Sequence, residues 1–478
     1  MLQSQRTLVP VIVACLLLLA ALTACDMAGL PATPTPAPAP VQSPTSVATE
    51  RSLAPTPQSL PTDTPPAAVL FETTTAEALE PAKTPAPLTP IPTEDAGNAG
   101  VDRQLEQIEA DAAALRGLQP LKRVPEQFIT QQQLNENLKK DLAEDYSPEE
   151  ARRDALALWL LRLVDDRSID LYQLNIDLLT EQVAGYYDPK KDELFVLGNQ
   201  QSLSPLARQT LAHEFVHALQ DQHYDLEKLL PDKTDDDDRS MAVRALVEGD
   251  ATMAGLMYAY RHMSQEDFQK LLEESQSAPT DVLNRAPRYI RESLLFPYSA
   301  GSEFVSRLIE LGGFERVNQA LADPPLSTEQ VMHPEKYLDS PRDNPMPVPI
   351  PPLTSTLGTG WKQTDQGTIG EFDLKVLLED NGVADAESAA AGWGGGRYAL
   401  YQNGDAGLLI VDTRWDTGAD AREFESALRR SFAGATPTGA GLWSLGGRYF
   451  GLKSAGDRVT LISSTDLTAL QKSLEAVR

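Results

Sequence analysis

Between Ser204 and His223 the apolar residues Leu211, Ala212, Phe215, Val216 and Leu219 recur at three- and four-residue spacing. At about 100° per residue they gather on one side of a helix. Ser204-Pro205 supplies its start, an N-cap serine followed by proline at the first helical position. Similar patterning predicts helices over 105–115, from Ser147 to about Val164, and over 170–182. The second of these opens on Ser147-Pro148-Glu149-Glu150, a capping box. Residues 185–196 combine an aromatic run, a turn containing Pro189 and the strand-like Leu194-Phe195-Val196, which predicts a hairpin. A helix is expected to start near Ser240 and to carry Ala245-Leu246-Val247-Glu248-Gly249-Asp250-Ala251. Phe296-Pro297-Tyr298-Ser299-Ala300-Gly301 leads into another helix, ended after about Leu311 by Gly312-Gly313. Ser327 caps a further helix, followed by His333-Pro334-Glu335.

Beyond the proline-rich stretch 345–352 the pattern changes. Strands are predicted over 398–402 and 408–413 across Asn403-Gly404, and over 448–453 and 458–463 across Ala455-Gly456-Asp457. Helices follow each pair, over 419–432 and 466–477. Gly394-Gly395-Gly396 lacks the strand-loop-helix setting of a phosphate cradle and reads as a loop.

The N-terminal 100 residues carry no such pattern of a folded domain. Arg6 is followed by an apolar run over 8–22, too short for a stable membrane span, which predicts an export signal. It ends in Leu22-Thr23-Ala24-Cys25 and resembles a bacterial lipoprotein signal, which implies a diacylated Cys25 and an extracytoplasmic protein held to the membrane by lipid. Residues 25–100 are dense in Pro, Thr, Ala and Ser and read as an extended tether. Cys15 and Cys25 are the only cysteines, so thiol ligands and disulfides are excluded from the globular part. A net charge of -28 with no strong basic patch argues against nucleic-acid binding.

Chemistry concentrates on the helix described first. It contains His213-Glu214-x-x-His217, which sets two imidazoles one turn apart on one side, able to bind one metal ion. Neutral imidazole suits Zn2+, and Glu214 falls beside the ion, where it can take a proton from water. Glu248 is a carboxylate within an apolar helical run and needs a partner. A metal is one such partner, and Arg244, one turn earlier, is the other. Gly249 permits close approach of another element. Asp235-Asp236-Asp237-Asp238 reads as a solvated loop favouring the following helix N-terminus, with a calcium site as the alternative.

HExxH on a capped helix, with a glutamate on a later helix, resembles the gluzincin branch of the zincin metallopeptidases. The resemblance covers roughly residues 185–260. It implies His213, His217 and Glu248 as zinc ligands, Glu214 as general base, and the hairpin over 185–196 as the cleft edge. The usual aspartate four residues after the ligand glutamate is replaced by Thr252, so the groups orienting the ligands are unassigned; Asp221 is one alternative. His223 stands at the spacing of the third metzincin histidine, but Gln220 replaces the helix-breaking glycine of that pattern. Tyr298 and His333 are the candidates for holding the oxyanion.

The expected fold class is α+β. A mainly helical zincin-like domain over 101–345 carries the cleft-edge hairpin, and a small α+β domain follows over 353–478. The expected function is hydrolysis of peptides or proteins by a lipid-anchored zinc enzyme. A non-catalytic surface lipoprotein binding a partner through its C-terminal domain is the alternative.

Overall fold

The computed structural model describes residues 13–16, 99–198, 202–231 and 234–477. The described residues belong to one compact unit; Cys25 and most of the expected export signal and tether lie outside the described residues. Among the described residues no helix is long and apolar enough to cross a membrane.

The fold is α+β. Helix Ala99–Arg116 leads in, two residues ahead of the expected boundary. Thr130 and Ser147 each close a capping box, opening helices Gln131–Asp145 and Pro148–Leu160, and Asp170 caps Leu171–Gln182. A four-stranded sheet is ordered β1-β3-β4-β2, with β1 Val13–Leu16, β2 Glu126–Ile129, β3 Val183–Asp188 and β4 Glu193–Leu197. Strands β3 and β4 are the expected hairpin, in antiparallel register Tyr186↔Phe195 and Asp188↔Glu193. Strand β2 runs parallel to β4, and β1, from within the N-terminal apolar run, runs antiparallel to β3.

Three helices organise the site. The motif helix Pro205–Tyr224 is capped by the Ser204 side chain and stops at Asp225, whose φ is 61°. The carboxylate helix Asp237–His262 is capped by Asp236. The long helix that starts at Arg288 continues through Pro297, so the proline lies inside the helix rather than ahead of it; Gly312 and Gly313, with non-helical backbone, break it where expected, and a second helix runs on to Ala322. An internal proline costs about 3 kcal/mol. Its neighbours Phe296 and Tyr298 are both buried, and that burial offsets the loss.

Glycines set how closely these helices cross. A Cβ on Gly249 would overlap the Gly301 carbonyl, and a Cβ on Gly301 would overlap that of Ala245. The carboxylate and long helices therefore meet backbone to backbone. At Gly255 a Cβ would stand 3.0 Å from Gln209 Nε2 and 3.5 Å from His213 Cβ, which seats the motif helix against the same carboxylate helix. The back of the motif helix, Leu211, Phe215 and Val216, packs in one cluster with Leu105 and Ile108 of the first helix.

The C-terminal part is a seven-stranded antiparallel sheet ordered β5-β6-β7-β11-β10-β9-β8. Its strands are β5 Lys362–Thr368, β6 Trp393–Asn403, β7 Ala406–Trp415, β8 Thr436–Gly439, β9 Leu442–Leu445, β10 Arg448–Ala455 and β11 Arg458–Ser464. Gly394-Gly395-Gly396 belongs to β6, not to a loop. A Cβ on Gly395 would strike the Met346 carbonyl and one on Gly396 that of Ile369, so passing chain occupies the side-chain space. One core joins both parts, with Leu156, Leu246 and Phe304 in the same cluster as Phe372, Trp393 and Leu409. The acidic run passes from exposed Asp235 to buried Asp238 at this junction, and Asp236 caps the helix that follows. Asp235 pairs with Arg397 at 2.9 Å, Asp237 accepts from Tyr398 Oη at 3.1 Å, and Asp238 accepts from Thr328 Oγ1 at 2.6 Å.

Candidate metal centre

The motif helix delivers His213 and His217 to one point, and the crossing at Gly255 and Gly249 brings Glu248 onto it. His213 Nε2 and His217 Nε2 stand 2.9 Å apart, and Glu248 Oε2 lies 3.3 Å from the first and 3.4 Å from the second. All three residues are at most 2% exposed, so water does not satisfy them. Glu248 Oε2 has no hydrogen-bond partner. An orphaned buried carboxylate oxygen is costly unless something cationic sits against it. The donor set, two imidazoles and one carboxylate, could hold one metal ion.

Electrostatics point the same way. Burial pushes the His213 pKa below its ordinary value. Burial alone would push Glu248 up, but the imidazoles of His217 and His213 hold its carboxyl below the usual carboxylate range. Neutral imidazole and ionised carboxylate are the forms that bind metal.

The groups that orient the ligands were not assigned from the sequence. His217 Nδ1 lies 2.8 Å from Gln220 Oε1, and Gln220 Nε2 donates to the Val247 carbonyl at 3.0 Å and to Asp250 Oδ2 at 2.8 Å. Asp250 in turn takes a salt bridge from Arg116 Nε at 2.7 Å, fully buried on both sides. Arg116 also donates to Asn318 Oδ1 at 3.0 Å and lies over the Phe314 ring at 4.5 Å. Asp221 does not serve here; it accepts from Tyr187 Oη at 2.9 Å and from the Leu226 amide at 3.0 Å. The sequence signal for Gln220 was its place three residues after His217, within reach on one helical side.

Glu214 is wholly buried, and its Oε2 accepts from the Tyr187 amide of β3 at 2.8 Å. The hairpin edge therefore fixes the plane of this carboxylate. Tyr298 joins the group from the long helix, its ring stacked on His213 with centroids 6.5 Å apart. His333 does not join it. Its Nε2 lies 2.8 Å from Glu371 Oε1, and that contact raises its pKa. His223 is also elsewhere, its Nε2 2.8 Å from the Gln119 carbonyl, because the helix runs on unbroken past Gln220.

Glu329, Asp343 and Asp416 make a second acidic group among the described residues. Lys336 Nζ already occupies it, at 2.6, 2.9 and 2.7 Å from the three carboxylates, so its countercharge is built in.

A cavity of about 140 Å³ opens beside the metal centre. Glu248, Tyr298 and Arg244 line it, with Leu158 and Leu294, and Phe372, Tyr398 and Leu409 of the C-terminal part.

The family model described as Domain of unknown function (DUF8575) matches residues 356–474. No curated protein and no solved structure matches the chain. The matched stretch thus contains the C-terminal wall of the cavity but none of the three metal-group residues.

Proposed function

We propose that the chain is a zinc metallopeptidase with a gluzincin-like ligand set, exported and held at the membrane by lipid on Cys25. The observation that carries this reading is the convergence of His213 Nε2, His217 Nε2 and the orphaned Glu248 Oε2. Bound zinc would supply Lewis acidity and lower the pKa of a coordinated water from about 15.7 to about 7. Glu214 then serves as general base, its carboxylate plane set by the Tyr187 amide. Gln220 holds the His217 ring through Nδ1, which directs Nε2 to the metal. Tyr298, beside His213, is the donor for the oxyanion. The hairpin β3–β4 borders the cleft. His333, committed to Glu371, has no part in this reading.

The test is zinc per chain after dialysis against a graded chelator, together with a peptide-library digest by the full chain. One zinc per chain and cleavage that Glu214→Gln reduces by about 10²–10⁴ are expected. Zinc without cleavage in wild type would make the chain a binding protein on a metal scaffold. No zinc would end the proposal.

A further inference from the structure

Arg244 stands out among the charged groups of the cavity. It is half-buried on the carboxylate helix and lines the same cavity as Glu248 and Tyr298. Glu248, one turn on, is its countercharge, but that carboxylate is turned to His213 and His217 at 3.3 and 3.4 Å. The acids around it are engaged with other groups. Asp238 accepts from Thr328, Asp373 from Tyr289 Oη at 2.8 Å, Asp154 from Tyr146 Oη at 3.1 Å, and Asp237 from Tyr398. The remaining wall is largely apolar, with Leu158, Leu161 and Leu294 among its residues. A guanidinium cannot shed its charge, and one that shares its countercharge with two imidazoles in such surroundings gains from a second carboxylate.

We propose that Arg244 binds a carboxylate of the peptide substrate within this cavity. The inference rests on the peptidase reading. Its geometry follows from the helix: Arg244 and Glu248 are one turn apart, about 5.4 Å along the axis. An extended peptide advances about 3.3–3.6 Å per residue. A carboxylate on Arg244 therefore belongs near the cleaved bond, in the cavity that both residues line. Guanidinium and carboxylate match as a two-pronged pair, and a low-dielectric wall strengthens the match. The carboxylate is either the free chain end or an Asp or Glu side chain near the cleaved bond. The competing role for Arg244 is a fixed countercharge to Glu248, which would stabilise the metal site but ignore the charge of the substrate.

The experiment uses the full chain loaded with zinc and N-acetylated hexapeptides of Ala and Leu. One set ends in a free carboxylate and a second in a carboxamide; a third, amidated, carries one internal Glu. Wild type should favour a carboxylate-bearing set by about tenfold or more in kcat/KM. Preference for the free acid identifies chain-end recognition, and preference for internal Glu identifies a side-chain pocket. Arg244→Ala should collapse the ratio while zinc per chain holds. Arg244→Lys keeps the charge without the fork and should give an intermediate ratio; it decides the question if the alanine variant does not fold. A ratio unchanged in the variants, or equal rates on all sets in wild type, overturns the inference. If wild type cleaves none of the peptides, the peptidase reading fails separately. Equilibrium binding of the free-acid and amide hexapeptides to wild type and Arg244→Lys then judges Arg244 alone: equal binding of the two overturns it, and a wild-type preference that the lysine variant weakens supports it.

Discussion

Gln220 Oε1 stands 2.8 Å from His217 Nδ1, and through that contact the candidate metal group is tied to the first helix. The amide nitrogen of the same side chain reaches Asp250, and Asp250 holds Arg116 on the first helix. Gln220, Asp250 and Arg116 are all fully buried, so each depends on the next for satisfaction.

Gln220→Ala removes the group that fixes the His217 ring. Zinc affinity should fall by about 10–100-fold, read from competition with a chelator, while the chain stays folded. Unchanged affinity would show that the ring is held by packing alone.

Asp250→Ala should be more damaging to the fold than to the site. It leaves Arg116 buried without countercharge, at a cost of about 3–5 kcal/mol. Thermal melts of metal-free protein measure this. The double variant with Arg116→Met should recover part of the loss.

Glu248→Ala and His223→Ala separate the two candidate third ligands. The first should abolish tight zinc binding. The second loses one exposed contact to the Gln119 carbonyl, worth about 0.5–1.5 kcal/mol at most, and should keep its zinc. The reverse result would remove Glu248 from the ligand set.

Gly249→Ala sets two effects against each other. Alanine favours the helix by about 1 kcal/mol over glycine. Its methyl group would overlap the Gly301 carbonyl, a backbone atom that cannot rotate aside, so the two helices must part. Overpacking of this kind costs about 1–3 kcal/mol, and Glu248 moves with the helix. A lower melting temperature and weaker zinc binding should appear together.

Burial pushes the Glu329 carboxyl up to about 8, despite Lys336 beside it. A carboxyl raised in the folded chain takes up its proton there more readily than in the unfolded chain. Its contribution is complete below the ordinary value of 4.5 and is lost as pH rises towards about 8. Glu329→Gln should therefore flatten the fall in melting temperature between pH 5 and 8, roughly the window that this shift defines. An identical slope in both proteins would refute the assignment.

The parts legible in the sequence were those written in local pattern. Ser204-Pro205 fixed the start of the motif helix, and HExxH spacing placed two imidazoles and Glu214. Glu248 was found because a carboxylate in an apolar run needs an explanation. Hairpins around Gly404 and Gly456 were also visible. What escaped depends on distant contacts. Arg116 and Asp250 are 134 residues apart, and no local signal joins them. Strand β5, Lys-Gln-Thr-Asp-Gln-Gly-Thr, has no apolar alternation and is a strand through its pairing with β6. Gly394-Gly395-Gly396 is strand because Met346 and Ile369 occupy its side-chain space. The acidic run caps the following helix as expected, through Asp236, but its ties to Thr328, Arg397 and Tyr398 escaped because those residues come from elements much later in the chain.

The bracing of the centre has a consequence for biosynthesis. A chain that emerges N-terminus first presents His213 and His217 early, yet Arg116 is secured only once Asp250 and Asn318 have followed. Leu409, which closes the cavity, comes later still. Closing such long loops is slow compared with forming single helices. The nascent chain therefore carries His213 and His217 unbraced until most of its length has been made.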